Sequence, residues 1–155
     1  MKRADVVGIL LDEKDKIPVV VLKTVEDNIH LPIWIGPVEA IAIQNALEGV
    51  EPARPMTHDL IKNILAGLGA DVERIVITDL IDNTFYANIV ISIGGRESEI
   101  DSRPSDAIAI ALRMNAPVFI NEEVFNKMKE KLDPDERLKE YLNSLSAEDF
   151  GKYKM

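Results

Sequence analysis

One tetrapeptide occurs twice in this chain. Ala40-Ile41-Ala42-Ile43 follows Gly36-Pro37-Val38-Glu39, and Ala107-Ile108-Ala109-Ile110 follows Arg103-Pro104-Ser105-Asp106. Pro37 and Pro104 stand 67 residues apart in a chain of 155. Proline suits the first turn of a helix, where its missing N–H is no loss. An acid two positions on meets the positive end of the helix dipole. The run that follows is apolar on every side, which predicts two buried helices. The echo therefore predicts two similar half-units, with Glu39 and Asp106 at equivalent helix mouths.

Strand patterns frame both helices. Residues 4–11, 17–24 and 29–35 read as strands separated by short charged turns, which favours antiparallel neighbours. Residues 72–81 and 84–93 flank the tight turn Asp82-Asn83, and Gly94-Gly95 is a hairpin signal leading to a polar strand at 96–101. Between the halves, Thr57 is the expected cap of a helix over 58–68 with the apolar stripe Leu60, Ile61, Ile64, Leu65 and Leu68. A short strand at 117–120 and a helix from Asn121 to about Lys131 close the pattern. The expected fold is α+β: two antiparallel meander-plus-helix half-units with buried helices on a mixed sheet system. One domain is expected over 1–131 and a helical C-terminal tail over 132–155, broken off at Asp133-Pro134.

Composition excludes several functions. There is no cysteine, hence no disulfide and no thiolate metal site. No apolar run reaches the roughly 20 residues that a membrane helix needs, and Met1–Asp5 lacks a signal-peptide layout, so a cytoplasmic protein is expected. The net charge of −9 argues against a protein that coats nucleic acid by phosphate neutralisation. It suits a carboxylate site that gathers a divalent cation.

Three helix mouths carry polar groups out of keeping with apolar surroundings. They are Glu39, the stretch Arg54–Asp59, and the stretch Asp101–Asp106. On a helical wheel Glu39 lies opposite Gln44, Asn45 and Glu48, as if aimed into a cleft. If the mouths converge, Glu39, Asp59, Asp101 and Asp106 are oxygen ligands for Mg²⁺ or Mn²⁺. His58 is then the proton carrier, with Glu39, Asp59 and Asp106 as its catalytic partners. Arg54, Arg103 and Ser105 would hold phosphate. Each of these groups also has a plain use. An acid in a first helical turn caps or meets the dipole, and Arg103 with Asp106, or Arg54 with Asp59, makes an ordinary ion pair. Trp34 and Phe85 read as core aromatics, with base stacking as the lesser alternative.

At these same residues the chain resembles the bifunctional nuclease domain family. The matching stretches are Leu31–Gly36 with Glu39-Ala40, then Arg54–Leu60, then Asp101–Ala109. The resemblance covers roughly residues 1–131 and implies a stand-alone prokaryotic member with nuclease activity on both RNA and DNA. The sequence thus supports a nuclease hydrolysing RNA or DNA phosphodiesters with a divalent cation, working as a homodimer or higher homo-oligomer. The competing reading is a non-catalytic oligomeric module that binds an anionic ligand at the same helix mouths.

Overall fold

The computed structural model describes residues 1–130. The first three strands, β1 (Lys2–Leu11), β2 (Pro18–Thr24) and β3 (His30–Trp34), form an antiparallel meander that runs into helix α1 (Pro37–Glu48). Helix α2 (Thr57–Gly67) bridges to a second meander, β4 (Asp71–Ile81), β5 (Thr84–Ile93) and β6 (Arg96–Ser102), which runs into α3 (Pro104–Met114). A short strand, β7 (Val118–Ile120), and helix α4 (Glu122–Glu130) follow. The expected Asp133-Pro134 break and the tail over 132–155 lie outside the described residues.

The seven strands of the described residues share one sheet in the order β3-β2-β1-β7-β4-β5-β6. The two meanders are mirrored about β7, which pairs antiparallel with β1 and parallel with β4. The sheet is mixed for this reason alone, because every other pairing is antiparallel. Both hairpins of the second meander turn on two residues with positive φ, Asp82-Asn83 (50° and 62°) and Gly94-Gly95 (58° and 81°). Paired positive φ matches the twist of the flanking strands, and these residue types tolerate it. Register shifts at Val6/Gly8 in β1 and at Val72/Arg74 and Ile77/Asp79 in β4 bend the sheet. Pro32 on β3 and the exposed, largely charged β6 blunt the two free edges.

Buried side chains of both meanders, among them Ile9, Val20, Leu22, Ile75 and Ile77, join α3 in a single core. Helix α3 lies on β4 and β5, with α1 and α2 beside it. Seven of its eleven residues are buried, as expected. The expectation that both helices are buried fails for α1. Only Ala40 and Ile43 are buried there, while Val38 and Ile41 are 75% and 41% exposed. A helix at the flank of the layer has one covered side, whatever its composition. The stripe on α2 is likewise only half used: Ile61 and Leu65 pack on the core, and Leu60, Ile64 and Leu68 face outward. The cap of α2 is Met56 rather than Thr57, and the Asp59 side chain accepts the Met56 backbone N–H at 3.0 Å.

Candidate active site

The two helix mouths that begin with proline meet at Arg103. Its guanidinium donates to Asp106 through Nε (2.9 Å to Oδ2) and Nη2 (3.1 Å to Oδ1), a two-pronged grip one helical turn long. The remaining nitrogen, Nη1, donates to Glu39 Oε1 at 2.9 Å, across 64 residues of chain. The mouth of α2 adds His58, whose Nε2 lies 2.8 Å from Asp106 Oδ1. An ionised carboxylate can only accept, so Nε2 carries the proton in this contact. Three helix starts therefore converge on one hydrogen-bonded chain: Glu39, Arg103, Asp106, His58.

Glu39 reaches Arg103 because Gly36 leaves room. The backbone at Gly36 is ordinary extended chain (φ −78°, ψ 163°), so no conformational need calls for glycine. A Cβ there would stand 2.2 Å from Glu39 Oε2. The carboxylate folds back over the glycine toward the start of its own helix.

Beside this chain opens a cleft of about 450 Å³. One wall is the β3–α1 corner, with Trp34, Ile35, Gly36 and Glu39; another is the β6–α3 corner, with Arg103, Pro104 and Ser105. Asn83, Thr84 and Phe85 of the β4–β5 hairpin complete it. The corners that follow the two edge strands of the sheet thus face each other across one hollow. Trp34 is 40% exposed here, and its Nε1 donates to Asp12 Oδ2 at 3.3 Å.

The other sequence candidates sit differently. Asp106 and His58 lie behind Arg103 and do not line the cleft. Asp59 has both oxygens engaged, one by the Met56 amide and one by Arg113 Nε at 2.7 Å. Arg113 also donates to the Ala109 carbonyl at 2.9 Å, so Asp59 ties α2 to α3. Arg54 is exposed in the loop before α2, and its expected partner Asp59 is taken by Arg113 instead. Asp101 is exposed on β6 opposite Asn88. Among the described residues no three acid or histidine side chains surround a common point as a cation would need.

Comparison with known proteins gives the family. The sequence model of the bifunctional nuclease domain matches residues 20–133, a span that contains all three converging mouths. The chain belongs to the bifunctional nuclease domain family. A Mycobacterium tuberculosis protein described as uncharacterized is 38% identical over 97% of this chain and 98% of its own length. Bifunctional nuclease 1 of Arabidopsis thaliana is 32% identical over 68% of this chain, and the match spans 34% of the plant protein. Bifunctional nuclease 1 of Oryza sativa subsp. japonica is 30% identical over 63% of this chain and 30% of its own length. Among the described residues no helix is long and apolar enough to cross a membrane.

In this family member the site's electrostatics follow from its contacts. The Glu39 carboxyl is held below its ordinary value, first by its own backbone amide and then by Arg103. Burial pushes the Asp106 carboxyl up, but the hydrogen bonds from Arg103 and His58 outweigh it and the net shift is downward. Arg103 is raised, by Asp106 first and Glu39 second. Arg113 is the main cause that lowers Asp59. Both cluster carboxylates are therefore ionised at neutral pH, and Arg103 carries its charge between them.

One participant escaped the sequence reading, and Trp34, expected in the core, is 40% exposed. Arg113 sits in the last turn of α3, where a basic residue reads as a dipole partner. Only the packing of α2 on α3 reveals its reach to Asp59. Trp34 alternates with buried Ile33 and Ile35, and that alternation was the available sign that its ring faces away from the core.

Proposed function

We propose that this protein is a phosphodiester hydrolase acting on RNA or DNA at the cleft between the two proline-led helix mouths. The observation that carries this reading is Arg103: a cation shared by Glu39 and Asp106 at the rim of a cleft, in a chain of a nuclease family. Its side chain is 63% exposed, so it is open to an incoming anion. Asp106 and Glu39 take three of its five N–H groups, which leaves two for a phosphate oxygen. The Ser105 hydroxyl and the N–H groups of the first turn of α3 add donors on the same wall.

Glu39 is the acceptor placed in the cleft. As an ionised carboxylate it takes a proton from a water attacking phosphorus, while the departing oxygen takes one from solvent or from a group on the substrate. Asp106 and His58 act from behind, holding Arg103 in position. Asp59 positions α2, and with it His58, through Arg113. Arg54, exposed in the loop before α2, would contact phosphates beyond the cleft. Asp101, on β6, would act only at this outer rim.

Divalent metal assistance belongs to the same reading. With Arg103 bridging Glu39 and Asp106, and Asp106 outside the cleft, Glu39 is the carboxylate of the lining that would hold Mg²⁺ or Mn²⁺, with water and substrate phosphate filling the other positions. Such an ion would supply positive charge at the phosphate. A homodimer or higher homo-oligomer would also give the exposed Val38, Ile41, Leu60 and Ile64 a surface to cover.

Incubation of the purified protein with single-stranded RNA and DNA, with Mn²⁺ or Mg²⁺ and then with EDTA, tests the reading. Cleavage is expected to fall roughly a hundredfold or more in Glu39→Gln and in Arg103→Ala. Full cleavage by both variants would place the chemistry elsewhere. Cleavage unaffected by EDTA would remove the metal and leave the carboxylate mechanism.

A further inference from the structure

The aromatic side of the cleft has a use that hydrolysis alone does not require. We propose that Trp34 is a stacking platform for one unpaired base, so that the cleft takes single-stranded nucleic acid one nucleotide at a time. This deepens the nuclease reading by naming the substrate form.

Four observations lead there. Trp34 is 40% exposed and lines the same cleft as Arg103 and Glu39, whereas its neighbours Ile33 and Ile35 are buried. Its indole N–H is engaged by Asp12, which holds the ring by one edge and leaves its π-face for contact. Phe85, Ile35 and Pro104 supply apolar lining, so a base leaving water finds more than one surface. The cleft, at about 450 Å³, is of the size that takes a single small ligand and far too small for a duplex. In a duplex each base is already stacked on its neighbours, so a fixed indole has no free base face to receive.

Charge points the same way. Arg103 is the only cation among the described residues that line the cleft, and the whole chain carries −9. Binding to a long phosphate tract would need many cations. A site with one phosphate grip and one aromatic face recognises a nucleotide as a unit: base on indole, phosphate on guanidinium.

Trp34 is the single tryptophan of the chain, so its fluorescence reports on its own face. The full-length protein, in EDTA to suppress metal-assisted cleavage, is titrated with a ten-nucleotide single-stranded DNA. The same sequence as a duplex and an abasic strand of equal length are run beside it. Saturable quenching by the single strand only is expected. Labelled single strand should bind Trp34→Leu about 5- to 100-fold more weakly, and Trp34→Phe should recover most of the loss. The logarithm of the single-strand affinity should fall with the logarithm of salt with a slope of magnitude about 1, since one or two phosphates at roughly 0.7 each are neutralised. Equal quenching by duplex and single strand, a steep salt slope, or Trp34→Leu binding as wild type would each overturn the proposal. Cleavage that persists with unchanged Trp34→Leu binding sinks the platform and spares the nuclease. Base-dependent quenching without cleavage of any substrate sinks the nuclease and leaves a nucleotide-binding cleft.

Discussion

Helices α1 and α3 share a proline, an acid and the tetrad Ala-Ile-Ala-Ile, yet they do different work. Helix α3 lies on the sheet between its two neighbours and has seven buried residues; α1 lies at the flank and has two. Their mouths differ most tellingly at the residue before the proline. Where α3 has Arg103, α1 has Gly36. Each mouth supplies one carboxylate, but α3 alone supplies the cation that both use, and α1 supplies the empty space that lets its glutamate fold toward that cation. A repeated segment thus keeps the backbone plan while burial and chemistry separate. Local pattern sets what each helix is; its place in the layer sets how much of it is covered.

The sharpest way to break this contrast is to enlarge the same alanine in both helices. Ala109 is 1% exposed in the middle of α3, and its counterpart Ala42 is only partly buried in α1. Ala109→Leu is expected to cost about 1–3 kcal/mol through overpacking, read as a lower midpoint in denaturant at unchanged slope. Ala42→Leu should cost less than about 1 kcal/mol, because the flank can move aside. Equal losses would mean that the two helices are equally confined, against the burial described above.

Much of this contrast could be read from the chain beforehand, and the unread part has a physical reason. The repeat, both tight turns and the two meanders follow from short-range rules: residues with positive φ mark Asp82-Asn83 and Gly94-Gly95, and alternation marks β5. Glu39 could be placed facing a cleft because its side of the wheel was wrong for water. The position of β7 could not be read. Three residues, Val118–Ile120, join the two meanders into one sheet, and nothing in their composition says which strands they enter between. The exposure of Val38 and Ile41 was hidden for the same reason, since an apolar tetrad that circles the helix does not announce which side is covered. Asp59 was assigned chemistry on its spacing, but Arg113, 54 residues on, decides what its carboxylate touches.

A smaller effect sharpens the difference at the mouths. Gly36→Ala puts a methyl 2.2 Å from the present position of Glu39 Oε2. The obstructed atom is the far end of a flexible side chain, so the fold should barely notice, with a melting midpoint within about 2 °C of wild type. Cleavage should nevertheless fall roughly tenfold, because a general base displaced by about 1 Å loses its alignment. A variant with wild-type turnover would show that the folded-back position of Glu39 is incidental. One that unfolds would show that Gly36 serves the chain rather than the site.

The smallest effect separates the two carboxylates by their dependence on pH. Asp106 is partly buried and accepts three hydrogen bonds, two from Arg103 and one from His58; from other side chains Glu39 accepts only the one from Arg103. Both carboxyls are lowered from ordinary values of 3.8 and 4.5. A carboxyl lowered by folding stabilises the native state at pH above its ordinary value, and that contribution is lost as pH falls through the lowered one. The stability advantage of wild type over Asp106→Asn should therefore be present in full near pH 6 and shrink as pH falls below 3.8 and through the lowered value. Glu39→Gln should show the same sign with a smaller amplitude, since one exposed contact is worth little. Denaturant titrations of the three proteins across this range read both curves. Matching amplitudes for the two variants would mean that Arg103 serves both helix mouths alike, and that the inner one owes nothing to His58 or to its partial burial.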